Sequence, residues 1–128
     1  MPIHYLNLHH ASVIVSNTEK SLVFYSQVLG LKPIERPPLP FPGAWLQVGE
    51  SGMQQVHLLE LDNPDPTRGR PEHGGRDRHV ALMVAALNPV LESLEHHQVH
   101  YTLSKSGRRA LFCRDPDGNA VEIIEQLQ

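Results

Sequence analysis

Apolar and polar positions along this 128-residue chain alternate in short runs typical of β-strands, and apolar residues recur at helical spacing in two longer runs. The first short run, Leu6 to Val15, predicts a strand whose alternation puts His10 on one face and Ala11 on the other. The following apolar residues recur at helical spacing as far as Leu29, and Gly30 is a typical helix stop. The chain is therefore predicted to begin with a strand and a helix.

Three further strands are predicted before residue 62. Residues 31–40 contain four prolines, which restrict this segment to a sheet edge or a loop after its first few positions. Two apolar runs follow, Gly43 to Val48 and Met53 to Leu61, and a turn containing two glycines separates them. The first 61 residues are thus predicted to follow the order βαβββ.

The second part of the chain repeats the pattern of the first. Residues 79–84 (HVALMV) resemble residues 10–15 (HASVIV), and residues 121–125 (VEIIE) resemble residues 56–60 (VHLLE). A helix with Pro89 at its first position and two short strands are predicted between them. Because an internal repeat decides the architecture, we predict a single α+β domain over residues 1–128. It consists of module one (6–61), a linker (62–78) and module two (79–126).

The repeat places residue types that bind metals at equivalent positions of the two modules. His10 and His79 lie on the first strand of each module, and His57 and Glu122 lie on the last strand. A carboxylate inside a β-branched strand is costly to bury unless it has a partner such as a metal ion. Three imidazoles and one carboxylate suit a divalent transition metal, and Ni, Zn, Mn and Fe all accept these ligands. We therefore predict that His10, His57, His79 and Glu122 bind one such ion.

Composition and charge narrow the classes of partner. A net charge of −3 and a pI near 6.3 give no reason to expect binding to nucleic acid or to an anionic membrane. No apolar run approaches membrane-spanning length, and the first residues lack the features of a signal peptide. The one cysteine, Cys113, excludes an internal disulfide and is predicted to be a packing thiol. These properties predict a soluble, cytoplasmic protein.

The linker is unusually long for a structureless connection inside a compact domain. It carries four arginines among prolines and glycines: Arg68, Arg70, Arg76 and Arg78. Two interpretations are open. The linker is either a solvated crossing between modules or a segment that closes over an anionic ligand.

A tight-turn sequence, Asp115-Pro116-Asp117-Gly118-Asn119, precedes the strand that carries Glu122. Together with His10, the run from Ser21 to Leu31 and the strand that starts at His79, it resembles the vicinal oxygen chelate superfamily. That superfamily includes glyoxalase I, fosfomycin- and bleomycin-resistance proteins, and extradiol dioxygenases. The resemblance implies a curved mixed sheet around a central cleft, in which four ligands leave two metal positions for substrate oxygens.

The resemblance also implies a homodimer whose clefts are built from both chains. In that arrangement His10 and His57 of one chain face His79 and Glu122 of the partner subunit. The substrate is expected to be a small molecule that chelates the metal through two adjacent oxygens.

Within the superfamily, the chain is most similar to glyoxalase I, which implies a metal-dependent lyase or isomerase. Glyoxalase I usually has Glu or Gln where this chain has His57. Glu122 is then the only carboxylate of the set and the predicted general base. Ile14 stands where glyoxalase I often has an arginine for a glutathione carboxylate, so lactoylglutathione is the less favoured substrate.

Three alternatives differ in what they require of the metal. A ring-cleaving dioxygenase needs open positions for catechol and O2, and a fourth ligand at His57 would crowd them. A fosfomycin-type thiol transferase shares two His and one Glu, but the chain shows no matching basic loop. A metal-free binding protein of the bleomycin-resistance type lacks the four ligands altogether.

Overall fold

The computed structural model describes residues 1–51 and 53–127, which form two four-stranded sheets, each with one main helical segment. The strands of the first half are β1 (His10–Val15), β2 (Lys32–Ile34), β3 (Gly43–Val48) and β4 (Gln54–Glu60). Those of the second half are β5 (His79–Val84), β6 (Tyr101–Leu103), β7 (Ala110–Arg114) and β8 (Ala120–Glu125). The helices are α1 (Thr18–Leu22), which continues through π-helical turns over Val23–Val28, and α2 (Asn88–His96).

The two sheets have the same topology. Their strand orders are β1-β4-β3-β2 and β5-β8-β7-β6. The first and last strands of each half pair in parallel, and the other pairs are antiparallel. This confirms the predicted α+β fold of two βαβββ modules with mixed sheets.

One face of each sheet packs against the helices and forms the core. Val15, Val56 and Leu58 of the first sheet are almost fully buried there, together with Tyr25 from the π-helical segment. Burial of each such aliphatic side chain stabilises the fold by about 1.5–3 kcal/mol. The alternation of residues along β1 and β4 therefore places His10 and His57 on the opposite face of the sheet, which does not pack against the helices.

Polar contacts join the two halves at the end of the sheets. The Tyr25 hydroxyl donates to Asp115 Oδ2 at 2.7 Å. Burial is the largest cause that raises the pKa of Tyr25, and the charge of Asp115 is the next. Asn119 Nδ2 donates to the Ile14 carbonyl at 3.1 Å, and the Ser16 amide donates to Asp117. The tight turn at residues 115–119 thus ties module two to β1 of module one.

The first strand is shorter than predicted, because it begins at His10 rather than at Leu6. Its partner β4 begins at Gln54. The Gln55 amide donates to the His9 carbonyl, and the pairing of β1 with β4 starts from this hydrogen bond. Residues 1–9 are not part of a strand, and they are exposed. Alternation in the sequence shows which residues could form a strand, whereas the length of the partner decides how many do.

The linker is ordered by ion pairs rather than being a bare crossing. Arg70 and Arg114 both bind the carboxylate of Asp77, and their hydrogen bonds hold its pKa well below the usual range. A 3₁₀ turn, Gly74–Arg76, packs on β7 and β8. Among the described residues, no helix has the length and apolar character needed to cross a membrane.

Candidate metal centre

Module two holds a histidine and a carboxylate in direct contact. Glu122 lies on β8 with its β5 neighbour Ala81 beside it, and only 4% of its surface is exposed. His79, at the start of β5, places Nε2 3.2 Å from Glu122 Oε1. Both side chains project from the sheet face that faces away from the core.

The hydrogen bond at Nδ1, the other ring nitrogen of His79, indicates which nitrogen of the ring carries the proton. His79 Nδ1 lies 2.8 Å from the Asp77 carbonyl oxygen, which can only accept, so Nδ1 carries the proton. In the neutral imidazole, Nε2 then presents a lone pair toward Glu122. Two acceptors 3.2 Å apart require a cation between them, and either a proton or a metal ion meets that need. A backbone carbonyl that orients the far nitrogen is typical of a metal-binding histidine.

The surroundings of Glu122 contain three residues that the sequence did not single out. Phe112 lies opposite Glu122 on β7, and the His79 ring meets its edge at 5.2 Å between centroids. His73, from the linker, also contacts the Phe112 ring and bonds to Thr102 Oγ1 at 2.7 Å. Arg108 approaches Glu122 Oε2 at 3.5 Å.

The linker thus forms one wall of this site. Gly74 packs closely on the sheet, since an added Cβ would lie only 3.2 Å from the Cβ atoms of Ala120 and Phe112. The alternation of residues along β6 and β7 could have placed Phe112 and Thr102 on this face of the sheet. Nothing in the local sequence pattern placed His73 beside them, because its position depends on how the linker folds back.

Module one holds its two histidines in a ring stack. The rings of His10 and His57 lie 4.1 Å apart and nearly parallel, and Trp45 stacks on the other face of His57 at 4.2 Å. His57 Nε2 also contacts Gln55 Oε1 at 2.7 Å. Register explains the stack, because Trp45 is the direct β3 neighbour of His57. His9 reaches His10 with 2.8 Å between their Nδ1 atoms.

The environment of His57 favours its neutral form. Burial is the largest cause, and the nearby His10, His9 and Arg36 add to it, so the pKa of His57 falls to about 4. At neutral pH the imidazole is therefore uncharged, which is the form that binds metals.

The structure brings the predicted ligands together in two pairs. His10 contacts His57, and His79 contacts Glu122. Within residues 1–51 and 53–127 of a single chain, no three histidine, cysteine or acidic side chains form a group that could hold a metal ion. The donor types and the orientation of His79 fit a divalent metal, with each module supplying half of the set.

A polar cavity of about 420 Å³ opens beside His79 at the junction of the modules. It is bordered by Ser12 of β1, by Thr67 and Arg70 of the linker, and by Asn119 of the tight turn. This cavity offers space for a small polar molecule next to one of the candidate ligands.

Comparison with known proteins shows which superfamily the chain resembles in sequence. Residues 7–123 match the Glyoxalase/Bleomycin resistance protein/Dioxygenase superfamily. The chain belongs to this superfamily. Glyoxylase I 4 of Arabidopsis thaliana is 33% identical over 128 residues, covering 95% of this chain and 72% of that protein. The mitochondrial methylmalonyl-CoA epimerase of Bos taurus is 27% identical over 128 residues, covering 93% and 73%.

The likeness extends to solved structures. A glyoxalase/dioxygenase from Nostoc punctiforme superposes with a TM-score of 0.73 at 19% identity, over 95% of this chain and 92% of that one. At this identity the superposition shows a shared fold. What the site does must be argued from its own residues.

Proposed function

We propose that this protein is a metal-dependent enzyme of the glyoxalase I-like lyase or isomerase type. Its substrate is a small molecule that chelates the metal through vicinal oxygens. The observation that carries the proposal is the contact between His79 Nε2 and the buried Glu122 carboxylate, whose Oε1 lies 3.2 Å away. Membership of the superfamily and the similarity to Glyoxylase I 4 support it.

Four residues would hold the metal ion: His10, His57, His79 and Glu122. A divalent ion bound by them (Ni, Zn, Mn or Fe) would supply Lewis acidity that makes the C–H next to a substrate carbonyl more acidic. The protein's own contribution is orientation. Asp77 fixes the tautomer of His79, and the burial of His57 keeps its imidazole neutral.

Glu122 would move the proton. Oε1 faces His79, which leaves Oε2 as the atom that accepts a proton from one substrate carbon and returns it to the next. Phe112 beside the carboxylate limits the access of water, and a drier site strengthens electrostatic interactions.

Removal of the proton by Glu122 would also serve an epimerase, in which the same carbon regains a proton on its opposite face. The similarity to methylmalonyl-CoA epimerase makes this the second candidate. In both reactions a carbon-bound hydrogen exchanges with solvent at the base, so Glu122 would have the same role.

We also infer that the working form is a two-fold homodimer. Each half of the ligand set lies in one module, and a closed two-fold assembly is the commonest way for two identical chains to combine half-sites. Met83 on the site face of β5 is 66% exposed, and the apolar Leu6 and Leu8 beside β1 are exposed as well. These surfaces could be covered by the partner subunit.

The test combines metal analysis with one substitution. Protein purified without chelator should contain about one divalent ion per site. Glu122→Gln should keep an oxygen ligand and the metal, but lose on the order of 10²-fold or more in turnover and in solvent deuterium exchange at the substrate carbon. The matched control is Glu125→Gln on the same strand, because Glu125 bonds to the Leu87 amide on the opposite face.

Each outcome separates the candidates. Full activity in Glu122→Gln would exclude proton transfer by this residue and favour the dioxygenase or thiol transferase alternatives. Failure to bind any of the four metals would instead favour metal-free ligand binding of the bleomycin-resistance type.

A further inference from the structure

Two consecutive arginines before β7 point to opposite faces of the second sheet. Arg109 turns to the helix face, where it contacts Glu125 Oε2 at 3.3 Å and Asn88 Oδ1 at 2.6 Å. Arg108 turns to the site face, where its Nη2 lies 3.5 Å from Glu122 Oε2. These contacts put one guanidinium beside the candidate base and its neighbour on the other side of the sheet.

The contact of Arg108 with Glu122 contributes little to folding. The arginine side chain is 58% exposed, and 3.5 Å is at the limit of a hydrogen bond. Pairs with so exposed a member stabilise proteins weakly. The loop nevertheless orients the guanidinium, because Arg108 Nε bonds to Ser106 Oγ at 3.1 Å and Ser106 in turn bonds to Ser104.

The charges around the site would leave the Arg108 guanidinium without a full counter-charge when a metal ion is bound. Glu122 is the only carboxylate of the candidate ligand set. The nearby Asp77 is already bound by Arg70 and Arg114. A divalent cation held by Glu122 and His79 would add two positive charges beside the one on Arg108. Glu122 supplies only one negative charge to balance them. A substrate anion would restore the balance at this point.

We propose that Arg108 is a specificity-determining residue that binds a carboxylate of the substrate. The substrate class is then a small acid that carries an oxygen on the carbon next to its carboxylate. This inference rests on the proposed metal site, and guanidinium is the side-chain group best suited to paired bonds with a carboxylate.

The first arm of the test measures metal affinity by calorimetry with Ni²⁺ or Zn²⁺ and needs no substrate. Arg108→Gln removes a positive charge near the ion, so the metal should bind tighter, on the order of 10-fold. Arg109→Gln is the matched control and should bind the metal like wild type. Equal metal affinity in the two variants would overturn the placement of Arg108 at the site.

The second arm compares lactate with lactamide, which have nearly the same shape but differ in charge. Metal-loaded wild type and Arg109→Gln should bind lactate on the order of 10-fold more tightly than lactamide. In Arg108→Gln this preference should fall to the part that the metal ion alone provides, and Arg108→Lys should keep more of it. Thermal melting of each variant shows that it is folded.

The two proposals can fail separately. Metal binding without a charge preference, or a preference as large in Arg108→Gln as in wild type, would overturn the role of Arg108 and leave the metal site standing. Absence of metal binding in wild type would overturn both.

Discussion

The two modules of this chain share one topology but differ in the way each holds its candidate ligands. In module one, His57 lies between the rings of Trp45 and His10, in a stack of aromatic rings. In module two, Glu122 lies between the imidazole of His79 and the guanidinium of Arg108. The repeat therefore conserves where a side chain stands in the sheet, while the chemistry at that place has diverged.

The difference assigns separate tasks to the two modules. A buried imidazole whose pKa is about 4 holds no charge at neutral pH and can serve only as a neutral ligand. A buried carboxylate can bind a cation and also carry a proton. Module one is thus suited to anchoring and module two to proton transfer.

The sharpest test of this division mixes two defective chains. His10→Ala and His79→Ala should each lose metal and activity. If sites combine module one of one chain with module two of the other, a mixed dimer has one intact site. An equal mixture, after exchange of subunits, should regain about a quarter of wild-type activity, since half the dimers carry one of two sites. Should the mixture stay inactive while light scattering shows dimers, the site lies within one chain.

A second test concerns the acid stability of module two. Hydrogen bonds from Arg70 and then Arg114 lower the pKa of Asp77 in the folded protein. Its contribution to stability is therefore full above the unfolded pKa of about 3.9 and is lost as the pH falls below that value. Unfolding midpoints in urea between pH 6 and pH 3 should fall less steeply in Asp77→Asn than in wild type.

The control for this test is Asp65→Asn. Asp65 pairs with Arg78, but both side chains are at least half exposed, so the pair contributes little. This variant should follow the wild-type pH dependence. If Asp77→Asn follows it too, the two arginines do not stabilise the linker through this carboxylate.

The smallest expected effect is in module one. Trp45→Leu keeps an apolar side chain on β3 but removes the ring stacked on His57. Loss of the aromatic pair should lower the free energy of unfolding by about 0.5–1.5 kcal/mol beyond the change in buried area. Metal affinity should fall as well if the stack holds the imidazole in place. A variant that is less stable yet binds metal normally would limit Trp45 to a packing role.

Much of the architecture could be predicted from local pattern alone. Strand alternation and helical spacing depend on neighbours within a few residues. The internal repeat presents the same local pattern a second time, which supports each assignment. The same alternation put His10 and His57 on one face of their sheet and His79 and Glu122 on one face of the other.

Other features were decided only when distant segments met. The start of β1 at His10 depends on where β4 begins, which is more than 40 residues away. The course of the linker depends on Arg114 reaching back to Asp77, and His73 reaches Phe112 for the same reason. The stacking of His57 and the tautomer of His79 likewise need neighbours in three dimensions. The sequence by itself determined the order of elements and the types of ligand, because these are local properties. The tertiary structure decided contacts and charge, since both depend on which side chains folding brings within a few ångströms.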